Sequence, residues 1–312
     1  MSRAHGRMAG MALASWALLA APVQATEFSR GGAFLPLGHG ARSHALGNAA
    51  VCFMRDDGAV YWNPANLAWL QQTTGITFMH ADLLEGVGDG YDTLSFGRVA
   101  GARLGLTQQS LRPSRWGYGF FLARMGVEFP SGKRWSENTI TFAAALALNN
   151  FTSLGIGLKG LVASNDFDAA NGRGAGFDLA LTILVLEPLT LAVVGRDVWT
   201  RVRWDTSTWE TLEPSLTFGV ELRPAKAWTS EVDFIFRQRT LQAMGVGVEW
   251  QVFRDLFWLR GGAYVLRPGD SRVAPSAGAG VHYSRLGVDY GVRVDEEDAQ
   301  GIGHRVAVRL LF

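Results

Sequence analysis

Only a few residues in this chain have the types and spacings that chemistry would need. His282 and Ser284 lie two apart, so on a strand they share a face, as a base beside a nucleophile would. A nucleophile needs an oriented base, and no third residue stands out to orient His282. Asp56 and Asp57 could form a paired-carboxylate site, but Gly58 follows and the run reads as a polar turn. His39, His44, His80, His282 and His304 are scattered without ligand spacing. Cys52 is the only cysteine, so neither a disulfide framework nor a cysteine metal cluster is expected. It reads as a small buried apolar residue. The Gly-x-Gly pairs fall inside strands and form no phosphate cradle. The chain is therefore read as a non-enzyme with no catalytic residue, no metal and no cofactor.

The elements that carry these residues follow from composition and periodicity. Of 312 residues, 48% are apolar and only 18% charged, with 38 Gly, 11 Trp and 18 Phe. An aromatic- and glycine-rich chain with few charges suits strands that face lipid. The net charge of +1 gives no nucleic-acid signal. Residues 1–25 read as a signal peptide: Arg3 and Arg7 form a basic region, Met8 to Pro22 is uncharged, and Val23-Gln24-Ala25 is a small-residue cleavage site. The mature chain is expected to begin at Thr26.

From about residue 74 apolar and polar residues alternate with period two. Val306, Val308, Leu310 and Phe312 share one face, opposed by Arg305, Ala307 and Arg309. Met244, Val246, Val248 and Trp250 oppose Gly245, Gly247 and Glu249, and Leu216, Phe218, Val220 and Leu222 oppose Thr217, Gly219, Glu221 and Arg223. Charges on every second position face lipid only at high cost, so they are expected to face a lumen. A soluble barrel would alternate too, with its apolar face inward. The signal peptide and the terminal Phe312 favour the membrane barrel. Asn138 to Leu158 is long and uncharged enough for a membrane helix, but Asn149-Asn150 divides it into two strand-length arms. Glu187-Pro188 divides Phe177 to Gly195 in the same way.

Short connections are expected at Ala100-Gly101, Asn149-Asn150, Glu187-Pro188, Pro224 to Ala227, Arg254-Asp255 and Ser284-Arg285. Longer ones are expected around 83–90, 112–137, 164–173, 200–212, 267–272 and 295–301, with a short exception at Gln238 to Thr240. Within 102–130, Trp116 to Phe129 reads as an extra strand pair, a loop ornament or a broken strand, which sets the strand count only to within two. Short periplasmic turns and longer outer loops give an all-β, transmembrane antiparallel β-barrel over 74–312 with about 14 strands. Residues 26–73 do not alternate and are rich in Gly and Ala, so they read as an N-terminal hatch, a plug in the lumen.

The inward charges Glu221, Arg223, Asp233, Arg237, Glu249 and Arg293, with Lys159, Asp178, Glu231, Arg260, Asp289, Arg305 and Arg309, are mixed in sign. They read as a salt-bridged ladder between plug and wall, with an ion-selective pore as the alternative. Trp199, Trp204 and Trp209, near the expected outer loops, fit an aromatic girdle or a hydrophobic capture groove. Phe312 at the end of an alternating strand resembles the signal read by the outer-membrane barrel assembly machinery.

Gly31-Gly32-Ala33-Phe34-Leu35-Pro36-Leu37-Gly38, Gly40-Ala41-Arg42, Leu46-Gly47-Asn48-Ala49, Arg55-Asp56-Asp57-Gly58-Ala59 and Tyr61-Trp62-Asn63-Pro64-Ala65-Asn66 resemble the N-terminal region of the PorV/PorQ proteins. Those are grouped with the FadL-type hydrophobic-compound channels, which share the Asn-Pro-Ala element. The resemblance implies a 14-stranded barrel with a hatch whose turn is Asn63-Pro64-Ala65. Asn66 stands where a small Gly is common. The implied functions are passive uptake of hydrophobic small molecules, fatty-acid-like or hydrocarbon, or an accessory role in type IX protein secretion with protein partners. A lipid-active enzyme is a third class. The implied place is the cell outer membrane, among its lipids.

Overall fold

Strands with one lipid-suited face and one inward face follow from period-two alternation. The computed structural model describes residues 37–71, 73–82, 90–100, 115–128, 131–166, 171–253, 256–266, 272–294 and 302–312. The expected signal peptide and the first part of the expected hatch lie outside these residues, as do the turn at Arg254-Asp255 and most of the loops expected at 83–90, 267–272 and 295–301.

The strands are β1 (Thr74–Asp82), β2 (Tyr91–Ala100), β3 (Trp116–Glu128), β4 (Arg134–Ala147), β5 (Thr152–Asn165), β6 (Gly172–Leu186), β7 (Leu189–Trp204), β8 (Trp209–Thr211), β9 (Ser215–Ala225), β10 (Trp228–Arg237), β11 (Thr240–Phe253), β12 (Phe257–Leu266), β13 (Arg272–Tyr283), β14 (Leu286–Val294) and β15 (Ile302–Leu311). Consecutive wall strands pair antiparallel and β15 pairs with β1, so the sheet closes on itself. β8 is a short outer piece on β7, which leaves a closed barrel of 14 strands. No described helix is long and apolar enough to cross a membrane.

The alternation sets which face is which. On β15, Arg305, Ala307 and Arg309 are buried while Val306, Val308 and Leu310 are exposed. Leu154, Ile156 and Leu158 on β5 point outward too. At the tight-turn end, Trp116 stacks on Tyr118 and Trp228 on Trp250, with ring centroids 5.3 and 5.2 Å apart. Such outward aromatic pairs are what a membrane interface selects.

The tight turns fall at Asn149-Asn150, Glu187-Pro188, Lys226-Ala227 and Ser284-Arg285. Gln238 and Arg239 both have positive φ, 48° and 65°, as a two-residue hairpin turn requires. Two expected connections are corrected. The 112–137 region is not a long loop, because β3 and the start of β4 occupy most of it. The connection expected to be short at Ala100-Gly101 is long instead, since Ala100 pairs with Trp116, and residues 101–114 lie outside the described residues. β3 escaped the pattern because its inward positions include Gly117 and Gly119, where bulk is forbidden rather than polarity demanded. A Cβ at Gly117 would collide with the Leu67 carbonyl of the plug, and one at Gly119 would meet Val60. Around 200–212 the chain forms a hairpin, with β8 folding back on Arg201–Arg203.

Residues 37–71 fill the barrel. Helix α1 (Ala41–Ala45) packs on β13, β14 and β15, helix α2 (Ala59–Trp62) on β2, β3 and β4, and a 3-10 helix (Pro64–Trp69) on β3, β4, β5 and β6. Wall glycines let the plug backbone approach. A side chain at Gly155 would overlap Ala65, and one at Gly291 would overlap the carbonyl of Ala41.

Candidate functional site

The site is the interface between plug and wall, and it is built from polar groups that are mostly buried. Buried polar groups must find partners, since each one left unmade costs about 1–3 kcal/mol. The plug brings two arginines and many backbone groups, and the wall supplies the carboxylates and hydroxyls that match them.

Asn63 holds the plug turn together. Its side-chain oxygen accepts from the N–H of Ala65 at 3.0 Å, which caps the 3-10 helix that Pro64 begins. Its amide donates to the Val51 carbonyl at 2.6 Å and to Thr182 Oγ1 on β6 at 2.8 Å. Asn66 donates to the carbonyls of Val51, Cys52 and Met54 and accepts from Thr182 at 2.8 Å. A glycine at 66 would remove all four contacts.

Two strand carboxylates cap the Ala50–Phe53 backbone. Asp233 accepts from the N–H groups of Ala50 and Val51 at 2.8 and 3.1 Å. Glu231 accepts from those of Cys52 and Phe53 at 2.6 and 2.8 Å. Beside them Arg55 of the plug pairs with Glu221 at 3.1 Å, and Arg223 pairs with the other oxygen of Glu221.

A second cluster runs across the lumen. Arg42 of α1 meets Glu249 of β11 through two hydrogen bonds of 2.8 Å each, and Asp56 at 3.1 Å. Arg260 joins Glu249 to Asp289 at 2.6 and 2.7 Å, and Arg309 reaches Asp56 at 3.1 Å. Burial alone would raise the Asp56 carboxyl, but Arg309 and Arg42 hold it below the usual carboxylate range. His39 shares this end. Its Nδ1 lies 2.7 Å from Thr93 Oγ1 and its Nε2 2.9 Å from Ser95 Oγ. Ser95 donates to Asp57, so its oxygen accepts the Nε2 proton of His39. Burial drives the His39 imidazole down to about 3, Asp56 opposing and Arg309 and Arg305 adding to the drop. Burial and then Asp56 push the Asp57 carboxyl up to about 6.

The residues singled out by sequence are distributed as follows. Asn63, Pro64, Ala65, Asp56 and Asp57 lie in the plug, buried or nearly so. Glu221, Arg223, Asp233 and Glu249 meet in the two clusters, while Arg293 lies with its guanidinium over the Tyr264 ring at 5.4 Å. Arg237 sits opposite the buried Ser215, at the loop end of the wall. Trp199 and Trp209 point outward, 48% and 61% exposed. Trp204 does not join them: it is buried on the inner face and donates to Glu210 at 3.0 Å. His282 pairs with Asp289 at 3.2 Å, whereas Ser284 lies in the exposed turn at φ 56°. Phe312 exchanges backbone hydrogen bonds with Thr74 at 2.9 and 3.1 Å. Sequence reasoning passed over Arg42 and Arg55 as partners. Their signal was present: each is an arginine in a Gly- and Ala-rich segment read as a lumen plug, and a largely buried guanidinium requires a carboxylate.

Among the described residues the wall ladders shift register at several places, by Ile235, Trp228, Gln251 and Leu184, and most widely between β6 and β7 near Asp197. Phe177 pairs with Trp199 but Leu179 pairs with Gly195, so β7 carries two extra residues against β6. Asp197 in that bulge has φ 52°. Lys159 of β5 ties Asp178 at 2.8 Å to Asp197. On its other side, the β7–β9 ladder ends at Arg196 and Ser215, and β7–β8 pairing resumes at Arg201 and Thr211. Pro214, which has no N–H to donate, lies in the interruption.

No family model and no curated protein matches the sequence. Solved structures do. The toluene transporter TbuX of Ralstonia pickettii is 12% identical, with 88% of this chain and 98% of that chain covered and a TM-score of 0.61. The CymD monoaromatic hydrocarbon channel is 12% identical over 88% and 98%, with a TM-score of 0.63. A FadL homologue of Pseudomonas aeruginosa is 11% identical over 86% and 97%, with a TM-score of 0.55. The chain therefore shares its barrel fold with these channels. The PorV/PorQ likeness and the secretion-accessory alternative gain no support from these matches.

Proposed function

We propose that this chain is a passive outer-membrane uptake channel for hydrophobic small molecules. Three things support the reading. The fold matches structures described as toluene and monoaromatic hydrocarbon channels. The outward band is apolar and aromatic. The lumen holds a plug tied by buried hydrogen bonds, which suits a gated path better than an open aqueous pore.

The observation that carries the mechanism is the interrupted wall at Asp197 and Pro214. A hydrophobic molecule taken up among outer aromatics such as Trp199 and Trp209 would meet the plug and leave through this weak place into lipid. Arg196 lies at its inner side, with its guanidinium 4.5 Å from the Tyr61 ring and bonded to the Trp62 carbonyl at 3.2 Å. A shift of the plug at Tyr61-Trp62 would therefore be felt at the gap. No energy source or cofactor enters this scheme.

The test is initial uptake of labelled toluene, oleate and maltose by cells whose own hydrophobic channels have been removed. The reading expects toluene or oleate to enter several-fold faster than in cells carrying the empty vector, with maltose at background. Equal rates for all three with and without the protein would refute it.

A further inference from the structure

The outer wall carries a basic patch that no hatch contact explains. Arg124 on β3, Arg173 on β6 and Arg201 and Arg203 on β7 all point away from the lumen, alternating with the buried Ala123, Gly172, Val202 and Trp204. They sit toward the loop ends of their strands, opposite the tight turns. Arg173 and Arg203 face each other directly across the β6–β7 ladder. Like charges directly opposite in a sheet destabilise it unless an anion lies between them. Among the described residues, neither Arg124 nor Arg173 has an ion-pair partner. Arg201 and Arg203 rest over the exposed rings of Trp199 and Trp209, at 5.7 and 6.0 Å.

The patch is one-sided. The outward strand positions of β9 to β15 carry no lysine or arginine among the described residues. A general interfacial belt would ring the barrel. A groove of about 580 Å³ runs between Arg124 and Arg173, over the apolar side chains Phe78, Leu94, Leu122, Ile140 and Val162. Gly160 leaves its floor low, since its position has no side chain. Asp92 also lines the groove and stands directly opposite Arg124 in the β2–β3 ladder, but its carboxylate turns to His80 Nδ1 at 2.8 Å and forms no ion pair with Arg124. Register places Arg124, Asn138, Val162 and Arg173 in one row on four neighbouring strands. The two arginines are thus three strand spacings apart, about 14 Å.

The geometry points to a binding site for one acylated lipid of the outer leaflet that carries two separated phosphates, one on Arg124 and one on the Arg173–Arg203 pair, with its acyl chains in the groove. Guanidinium groups bind phosphate through paired hydrogen bonds, which supplies the missing anion. The apolar floor selects a lipid over a free phosphate ion. This site lies on the outside of the wall and needs neither the plug nor transport.

The experiment is native mass spectrometry of the refolded full chain in detergent. The added lipids are purified rough lipopolysaccharide, the same material after phosphatase treatment, and phosphatidylglycerol. The wild type should keep one phosphorylated glycolipid at least ten-fold better than either comparison lipid, and millimolar inorganic phosphate should not displace it. Arg124→Gln with Arg173→Gln should lose that preference, Arg124→Lys should keep part of it, and Arg98→Gln, outward at the other end of β2, should keep all of it. Heat-modifiable migration confirms that each variant is folded, and Arg173→Gln alone serves if the double variant is not. Equal retention of the three lipids, unchanged retention in the folded variants, or displacement by inorganic phosphate would overturn the proposal.

Discussion

The side-chain amide of Asn63 in the plug donates a 2.8 Å hydrogen bond to Thr182 Oγ1 in the wall, and Thr182 in turn donates to Asn66. This three-residue link fastens the Asn-Pro-Ala turn to β6. Replacing Asn63 and Pro64 together, by Ala and Ser, removes the link and the fixed backbone angle of proline. The variant should give noisy, partly open conductance in planar bilayers where the intact protein is quiet. Quiet traces from a folded Asn63→Ala, Pro64→Ser protein would show that the turn does not secure the plug.

Glu249 lies between Arg42 of the plug and Arg260 of the wall. Glu249→Ala leaves two buried guanidinium groups short of a partner, which costs on the order of 3 kcal/mol. The plug should then be cut by trypsin in the folded barrel, and the temperature at which heat-modifiable migration is lost should fall by several degrees. Wild-type resistance in both measurements would mean that the ion-pair cluster does not hold the plug.

Acid should loosen the plug. Docked His39 stays neutral down to about 3, whereas a free imidazole takes its proton near 6.5, so the undocked plug binds more protons between those values. Docking through His39 therefore weakens as pH falls through that window. Asp57 acts the other way: docked it keeps its proton up to about 6, so its contribution favours docking as pH falls from 6 toward 4. The histidine displacement is the larger, and the net effect follows it. Channel noise should rise between pH 7 and pH 4 in the wild type and less in a His39→Gln protein. Identical acid responses in the two would remove His39 from the account.

Phe312 closes the barrel by its backbone bonds to Thr74, and its exposed ring is available to a partner. We propose that the barrel assembly machinery reads it. Deleting Phe312 should lower the amount of assembled barrel far more than Leu310→Val in the same strand. Normal assembly without Phe312 would exclude that role.

The barrel was legible in the sequence because lipid on one side and a filled lumen on the other impose period two, as on β15 and β11. β3 was not, because its inward side must avoid the plug backbone and so reads as glycine rather than as charge. The bulge at Asp197 was hidden as well: two extra residues on β7 leave both flanking stretches alternating, and only the pairing with β6 reveals the shift. For the site, the wall half was readable as inward charges on strands. The plug half was readable only as arginines that must find carboxylates, since Arg55 and His39 lie in irregular backbone and Arg42 in a five-residue helix, too short for a period to tell which way a side chain points. Trp204 misled because its place near a loop resembled that of Trp199 and Trp209, while its even register turns it inward.

The central claim is that residues of the N-terminal segment close the lumen, and conductance of the refolded barrel lacking residues 31–68 tests it most directly. The intact protein should conduct poorly in planar bilayers. The deletion should conduct steadily with weak ion selectivity, because the exposed wall charges are mixed in sign. An intact barrel that already conducts like an open porin, or a correctly folded deletion that stays closed, would contradict the claim.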